Sequence, residues 1–148
     1  MAERLACELA PRIAAIVDIA GVASNEIAGC TPSDSVAVLH VHGDADTVIR
    51  TGGGRLFEQP SLPTYPSLAD TMRAWATRND CAGALAPTSV RLDLDRGLAG
   101  AETRVDRFER CTKADVVLWT IEGGAHSPDF APSFAESVYA FLAAHPKR

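Results

Sequence analysis

The sequence predicts an α/β fold in which parallel strands are flanked by helices and interrupted by a β-hairpin insertion. Three observations carry that prediction. Residues 13–20 (IAAIVDIA), 36–41 (VAVLHV) and 115–121 (DVVLWTI) are short apolar runs, the pattern of strands covered on both faces. Two segments with helical periodicity, one between the second and third runs and one after the third, give the alternation of an α/β domain with right-handed crossovers. A strictly alternating SVRLDL at 89–94 followed by a looser alternation at 102–108, with Gly97 and Gly100 between, reads as a half-exposed hairpin of structural purpose.

Taken in order, residues 2–9 have helix-forming composition and Pro11 stops that helix near Ala10. No N-cap residue precedes it, and Leu5 and Leu9 share a face, so the segment reads as a helix cut rather than begun. The first strand closes at Gly21 and contains one awkward residue, Asp18; residues 21–35 are polar and rich in turn formers. The second strand ends abruptly in His42, Gly43, Asp44, Ala45 and Asp46. Gly52, Gly53 and Gly54 follow, then Pro60, Pro63 and Pro66 in an irregular loop. The glycines lack the lysine and hydroxyl of a phosphate loop, so nucleotide binding is not expected. Ser67 with Asp70 forms a capping box for a helix running to about Asn79, with Leu68, Met72 and Trp75 as its core stripe. The third strand runs into Glu122, Gly123, Gly124, Ala125 and His126. Ser133 with Glu136 forms a second capping box, opening a helix with Phe134, Val138, Phe141 and Leu142 on one face until Pro146 ends it.

The 148 residues, 47% hydrophobic and 22% charged, suffice for one domain or part of one. A net charge of −5 with scattered basic residues offers no footprint for nucleic acid or an anionic membrane. No run is long enough to span a bilayer, and the first residues, MAERLACELAPR, carry no signal peptide. Four cysteines without a C-x-x-C pair leave disulfides or buried thiols open and give no zinc knuckle; no metal or cofactor is expected.

Ligands of open α/β sheets gather at the carboxyl ends of strands. Asp46 and His126 stand beyond two such ends, on one edge of a parallel sheet, where a carboxylate can orient an imidazole and steady its protonated form. The nucleophile of such a triad is missing: none of the serines at 24, 33, 35, 61, 67, 89, 127, 133 and 137 lies in a Gly-x-Ser-x-Gly elbow. His40 reads as a satisfied core histidine. His42 reads as packing beside Gly43, with support of the Asp46 turn as the alternative.

Four stretches, RLACELAPRIAAIVDIAG (4–21), LHVHGDAD (39–46), YPSLADTMRAWATRNDC (65–81) and VVLWTIEGGAHS (116–127), together resemble the carboxyl-terminal half of an α/β-hydrolase of the polyhydroxybutyrate depolymerase, feruloyl esterase and acetyl xylan esterase group. They come in that group's order over nearly the whole chain. The resemblance implies a partial α/β-hydrolase fold, with residues 1–148 forming the later part of one domain and a nucleophile elbow upstream of Met1. It implies carboxylic ester hydrolysis by the full-length form, an extracellular setting, and a polyester or acylated polysaccharide as substrate. Asp46 matches the acid of the group's His-Gly-Thr-x-Asp motif, with Asp44 where threonine is usual, and His126 matches the histidine of its Gly-Gly-x-His motif. Thr47 replaces a usual proline, and Ser127-Pro128-Asp129 replaces an aromatic-Pro-Gly stretch. The resemblance also pairs Cys81 with Cys111 and, less distinctly, Cys7 with Cys30, with free buried thiols as the alternative. This chain alone is then expected to turn over little ester. A different class of function remains beside it: a noncatalytic α/β module that binds a protein partner, the missing half included, through an exposed sheet edge.

Overall fold

The computed structural model describes residues 1–21, 23 and 29–147. Helix α1 (Ala2–Glu8) and a 3-10 turn (Ala10–Arg12) lead into strand β1 (Ala15–Ile19), and β2 spans Ala37–Gly43. Short strands β3 (Gly54–Arg55) and β4 (Thr64–Tyr65) bracket the proline-bearing loop before α2 (Leu68–Arg78). Then come β5 (Cys81–Ala82), β6 (Ala86–Leu92), β7 (Thr103–Arg107), β8 (Arg110–Cys111), β9 (Val116–Ile121) and α3 (Pro132–Ala144). The main sheet has the order β1-β2-β9-β7-β6. Its β1, β2 and β9 run parallel, whereas β7 pairs antiparallel with both β9 and β6. The expected α/β class, with three parallel strands and a hairpin, is thus the architecture; the polar connection expected after Gly21 lies partly outside the described residues.

Strand β2 is buried along its whole length, as is β9, because each has parallel or antiparallel neighbours on both sides and helices on both faces. Alternation divides their side chains between two cores. Val36, Val38, Val116 and Leu118 meet Ile16, Ala6, Met72 and Trp75 under α1 and α2. Ala37, Leu39, Val41, Val117, Trp119 and Ile121 meet Val105, Leu94 and Phe141 of α3 on the other face, with Phe134 and Val138 packed beside them. Side chains His40 and His42 share the parity of Val38, and Asp18 that of Ile16, so all three belong to the α1 side of the sheet.

Helix ends follow the sequence in two cases and depart from it in one. Helix α1 has Met1 at its N-cap and no side-chain cap. At α2, Ser67 Oγ accepts from the Asp70 N–H at 3.1 Å and donates to Asp70 Oδ2 at 2.7 Å. Helix α3 instead starts at Pro132 with Ala131 at the N-cap. Ser133 lies inside it and donates to the Asp93 carbonyl at 2.7 Å. A proline preorganised for the first helical turn outcompetes the hydroxyl of the next residue. Leu142, expected on the core face, is 39% exposed.

Two disulfides are present. One joins Cys7 of α1 to Cys30, and the other joins Cys81 to Cys111, which are register partners of β5 and β8. They fit an oxidising environment, and among the described residues no helix is long and apolar enough to cross a membrane. The Cys81–Cys111 bridge closes the segment carrying β6 and β7, so loss of it releases loop-closure entropy to the unfolded chain. A Cys81→Ser/Cys111→Ser double variant is expected to lose about 3 kcal/mol in urea unfolding; a midpoint unchanged from the parent contradicts that role.

Candidate active site

Strands β2 and β9 are parallel neighbours whose register ends on Gly43 opposite Ile121. Both chains leave the sheet at the same edge, and their exits touch. A Cβ built on Gly43 lies 2.1 Å from the Gly124 carbonyl oxygen and 2.8 Å from that of Ala125. Only glycine permits this approach of backbone to backbone. The approach is then stitched: the Asp44 N–H donates to the Ile121 carbonyl at 3.1 Å and the Ala45 N–H to the Gly124 carbonyl at 3.0 Å. Asp44 Oδ1 accepts from the Gly123 N–H at 2.7 Å, where Gly123 supplies the left-handed turn with φ 80°. Asp44 is therefore a clasp on the turn that bears His126.

The second acid of the loop, Asp46, reaches the histidine. Its Oδ2 lies 2.8 Å from His126 Nδ1, and its Oδ1 accepts from the Val48 and Ile49 N–H groups, each at 2.8 Å. Asp46 is 5% exposed. Burial pushes its carboxyl pKa up, but the hydrogen bonds from His126, Ile49 and Val48 outweigh burial and hold it below its ordinary value. An ionised acceptor at Nδ1 requires the proton there, which leaves the Nε2 lone pair of His126 as the base. The His126 side chain is 37% exposed, so that lone pair is within reach of a reactant. Among the described residues, no serine, threonine or tyrosine hydroxyl donates to it, and Ser127 makes no hydrogen bond with the ring it follows.

Asp46 has a further neighbour. His42 Nε2 lies 2.8 Å from the Ile49 carbonyl oxygen and 3.2 Å from Asp46 Oδ2. Facing a carbonyl, Nε2 carries the hydrogen. Burial, the largest effect, depresses the His42 pKa against the opposing pull of the Ile49 carbonyl, so the ring is neutral and its Nδ1 accepts. The donor 3.1 Å away is His40 Nε2. His42 thus supports the loop that presents Asp46, in addition to packing beside Gly43. His42 immediately precedes the strand-end Gly43, and this support is the alternative reading that the sequence offered for it; the partner that fixes the role, the Ile49 carbonyl, is backbone and has no residue-level signal.

No protein-family model matches this chain, and no curated protein is significantly similar to it. The site therefore stands on its geometry.

Two outcomes follow. Replacing Gly43 by alanine forces the β2 and β9 exits apart and is expected to cost about 3 kcal/mol and to shift the His126 ring resonances in NMR; a variant with native stability and unmoved resonances refutes the close approach. The second concerns pH. His42 is neutral in the fold, so stability declines as pH falls below its unfolded pKa near 6.5. Asp46 has a depressed pKa, so its contribution is complete above the unfolded value near 3.8 and disappears as pH falls through the lower folded value. Relative to the parent, His42→Gln is expected to flatten the first decline, and Asp46→Asn, less stable by about 2 kcal/mol at neutral pH, to converge on it below about pH 4. Urea unfolding measured across pH reads both.

Proposed function

We propose that this chain supplies the acid and base of a Ser-His-Asp ester hydrolase, with Asp46 orienting His126 and a serine outside these residues as nucleophile. The observation that carries the reading is the 2.8 Å contact between His126 Nδ1 and a buried, doubly backbone-bonded Asp46 at a parallel-sheet edge. In that arrangement His126 Nε2 takes the proton of the attacking hydroxyl and returns it to the leaving alcohol. Asp46 keeps the ring in the tautomer that allows this and stabilises the imidazolium between the two transfers. The loop resemblance, LHVHGDAD and EGGAHS, extends the reading to the polyhydroxybutyrate depolymerase and feruloyl or acetyl xylan esterase group, acting outside the cell on a polyester or acylated polysaccharide. The two disulfides suit that location.

A second reading draws on the sheet edge. Among the described residues strand β1 has a neighbour on one side alone, its Ile19 is 43% exposed, and Leu5 of α1, which packs on it, and Leu9 at the end of that helix are 41% and 42% exposed. An open edge bordered by apolar side chains pairs readily with another chain, which favours a protein-binding module over a free-standing catalyst.

The two readings separate in one set of experiments. The chain as given is expected to form no stoichiometric adduct with a fluorophosphonate and to hydrolyse p-nitrophenyl butyrate no faster than buffer. Expressed with the coding sequence upstream of Met1, it is expected to gain both a Gly-x-Ser-x-Gly serine that labels and an esterase activity that His126→Ala and Asp46→Asn each reduce about 10³- to 10⁴-fold. A labelled residue within the 148, or an activity indifferent to both substitutions, overturns the triad assignment. An upstream sequence with no such serine, together with a partner bound along β1, supports the module.

A further inference from the structure

Beneath α1, on the same side of the sheet as His42, three ionisable groups converge away from the His126 edge. Asp18 and His40 are register partners of β1 and β2, so their side chains stand side by side, and Glu3 descends on them from α1. His40 Nδ1 is 3.6 Å from Asp18 Oδ2 and 3.7 Å from Glu3 Oε1. The ligand atoms of all three lie within 4.8 Å of one another. Glu3, Asp18 and His40 are 2%, 8% and 1% exposed. Among the described residues, both carboxylate oxygens of Glu3 and the Nδ1 of His40 are without a hydrogen-bond partner.

Buried carboxylates normally collect hydrogen bonds or ion pairs, because an unpaired buried charge is strongly destabilising. Here the separations are too long for hydrogen bonds. They are close to the spacing of atoms that share one ion: ligands about 2.1 Å from a metal and roughly 110–120° apart lie about 3.4–3.6 Å from each other. Arg78 is a fixed cation whose guanidinium feels the charge of Glu3. It also donates to the Cys30 carbonyl at 2.9 Å and lies over the Trp75 ring at 5.2 Å. On the far side of the imidazole, His40 Nε2 is taken by His42 Nδ1 at 3.1 Å. A histidine whose one nitrogen is held by a hydrogen bond while the other faces two carboxylates has the outer-shell support typical of metal-bound imidazole.

We propose that Glu3, Asp18 and His40 form a buried site for one divalent transition-metal ion of the zinc class. An imidazole with two carboxylates suits zinc, manganese or cobalt better than calcium or magnesium, which take all-oxygen shells. The ion neutralises the two carboxylates and fastens α1 to β1 and β2. Asp18 is the least buried of the three, and its carboxylate folds over Gly21, where an added Cβ would meet Asp18 Oδ1. Binding releases whatever protons the carboxyl and imidazole groups carry and involves no redox change. The site is independent of the triad reading, since none of its ligands touches His126.

Metal-stripped chain dialysed against Zn²⁺ is expected to retain one ion per molecule, to melt higher with increasing Zn²⁺, and to give the visible absorption of a low-coordinate nitrogen and oxygen complex with Co²⁺. Glu3→Gln and Asp18→Asn are expected to weaken binding by about 100-fold or more and to remove the thermal shift. Without metal, Glu3→Gln is expected to melt no lower than the parent, since it replaces a buried carboxyl group whose oxygens have no hydrogen-bond partner among the described residues; this separates loss of the site from loss of the fold. His126→Ala is expected to retain the ion. Failure of the parent chain to bind Zn²⁺, Co²⁺ or Mn²⁺ stoichiometrically, binding that survives both carboxylate substitutions, or binding lost in His126→Ala overturns the proposal.

Discussion

The arrangement of this molecule depends on one backbone contact, the approach of Gly43 to Gly124 where β2 and β9 leave the sheet. Parallel pairing brings the two strand ends to the same edge, but parallel pairing alone leaves their loops free to diverge. With no side chain at Gly43, the loops close on each other and exchange hydrogen bonds through Asp44, Ala45, Ile121 and Gly123. The two carboxylates of the β2 loop divide the work. Asp44 holds the turn from outside, and Asp46, two residues on, folds inward to meet the imidazole that the turn presents.

Along β2 the consequences run inward as well as outward. Its residues on the α3 side are apolar, and its residues on the α1 side change from Val38 to His40 to His42 as the strand approaches the edge. A row of imidazoles stacked 5.3 Å apart thus connects the hydrogen bonds of Asp46 to a buried pair of carboxylates beneath α1. Such a row costs desolvation free energy at each polar group. It is tolerated where each nitrogen has a partner, which holds for His42 and for one nitrogen of His40. The remaining nitrogen and its facing acids are the place where partners run out, and their spacing marks that place as an ion site.

Much of the fold was legible in the residues. The three apolar runs became β1, β2 and β9, the alternating stretches became β6 and β7, and Ser67 capped α2, because each signal is local: burial on both faces, period-two alternation, or a hydroxyl next to an open N–H. The start of α3 was not, since Ser133 looks like a cap until Pro132 and the Asp93 carbonyl are in view. The pairs β3 with β4 and β5 with β8 were likewise unread, being two residues long and held by tertiary contacts. Cys81 and Cys111 are brought opposite each other by that pairing, which composition cannot show.

The sequence by itself determined the α/β class, the strands that end in ionisable residues, and the candidacy of Asp46 and His126, because hydrophobic periodicity and glycine punctuation are written along the chain. Tertiary structure alone decided how Asp46 is held against His126, what Asp44 does, how His42 is oriented, and that His40 is left facing Glu3 and Asp18. Those outcomes depend on distances between segments remote in sequence and on hydrogen bonds to backbone atoms, neither of which has a residue-level signature.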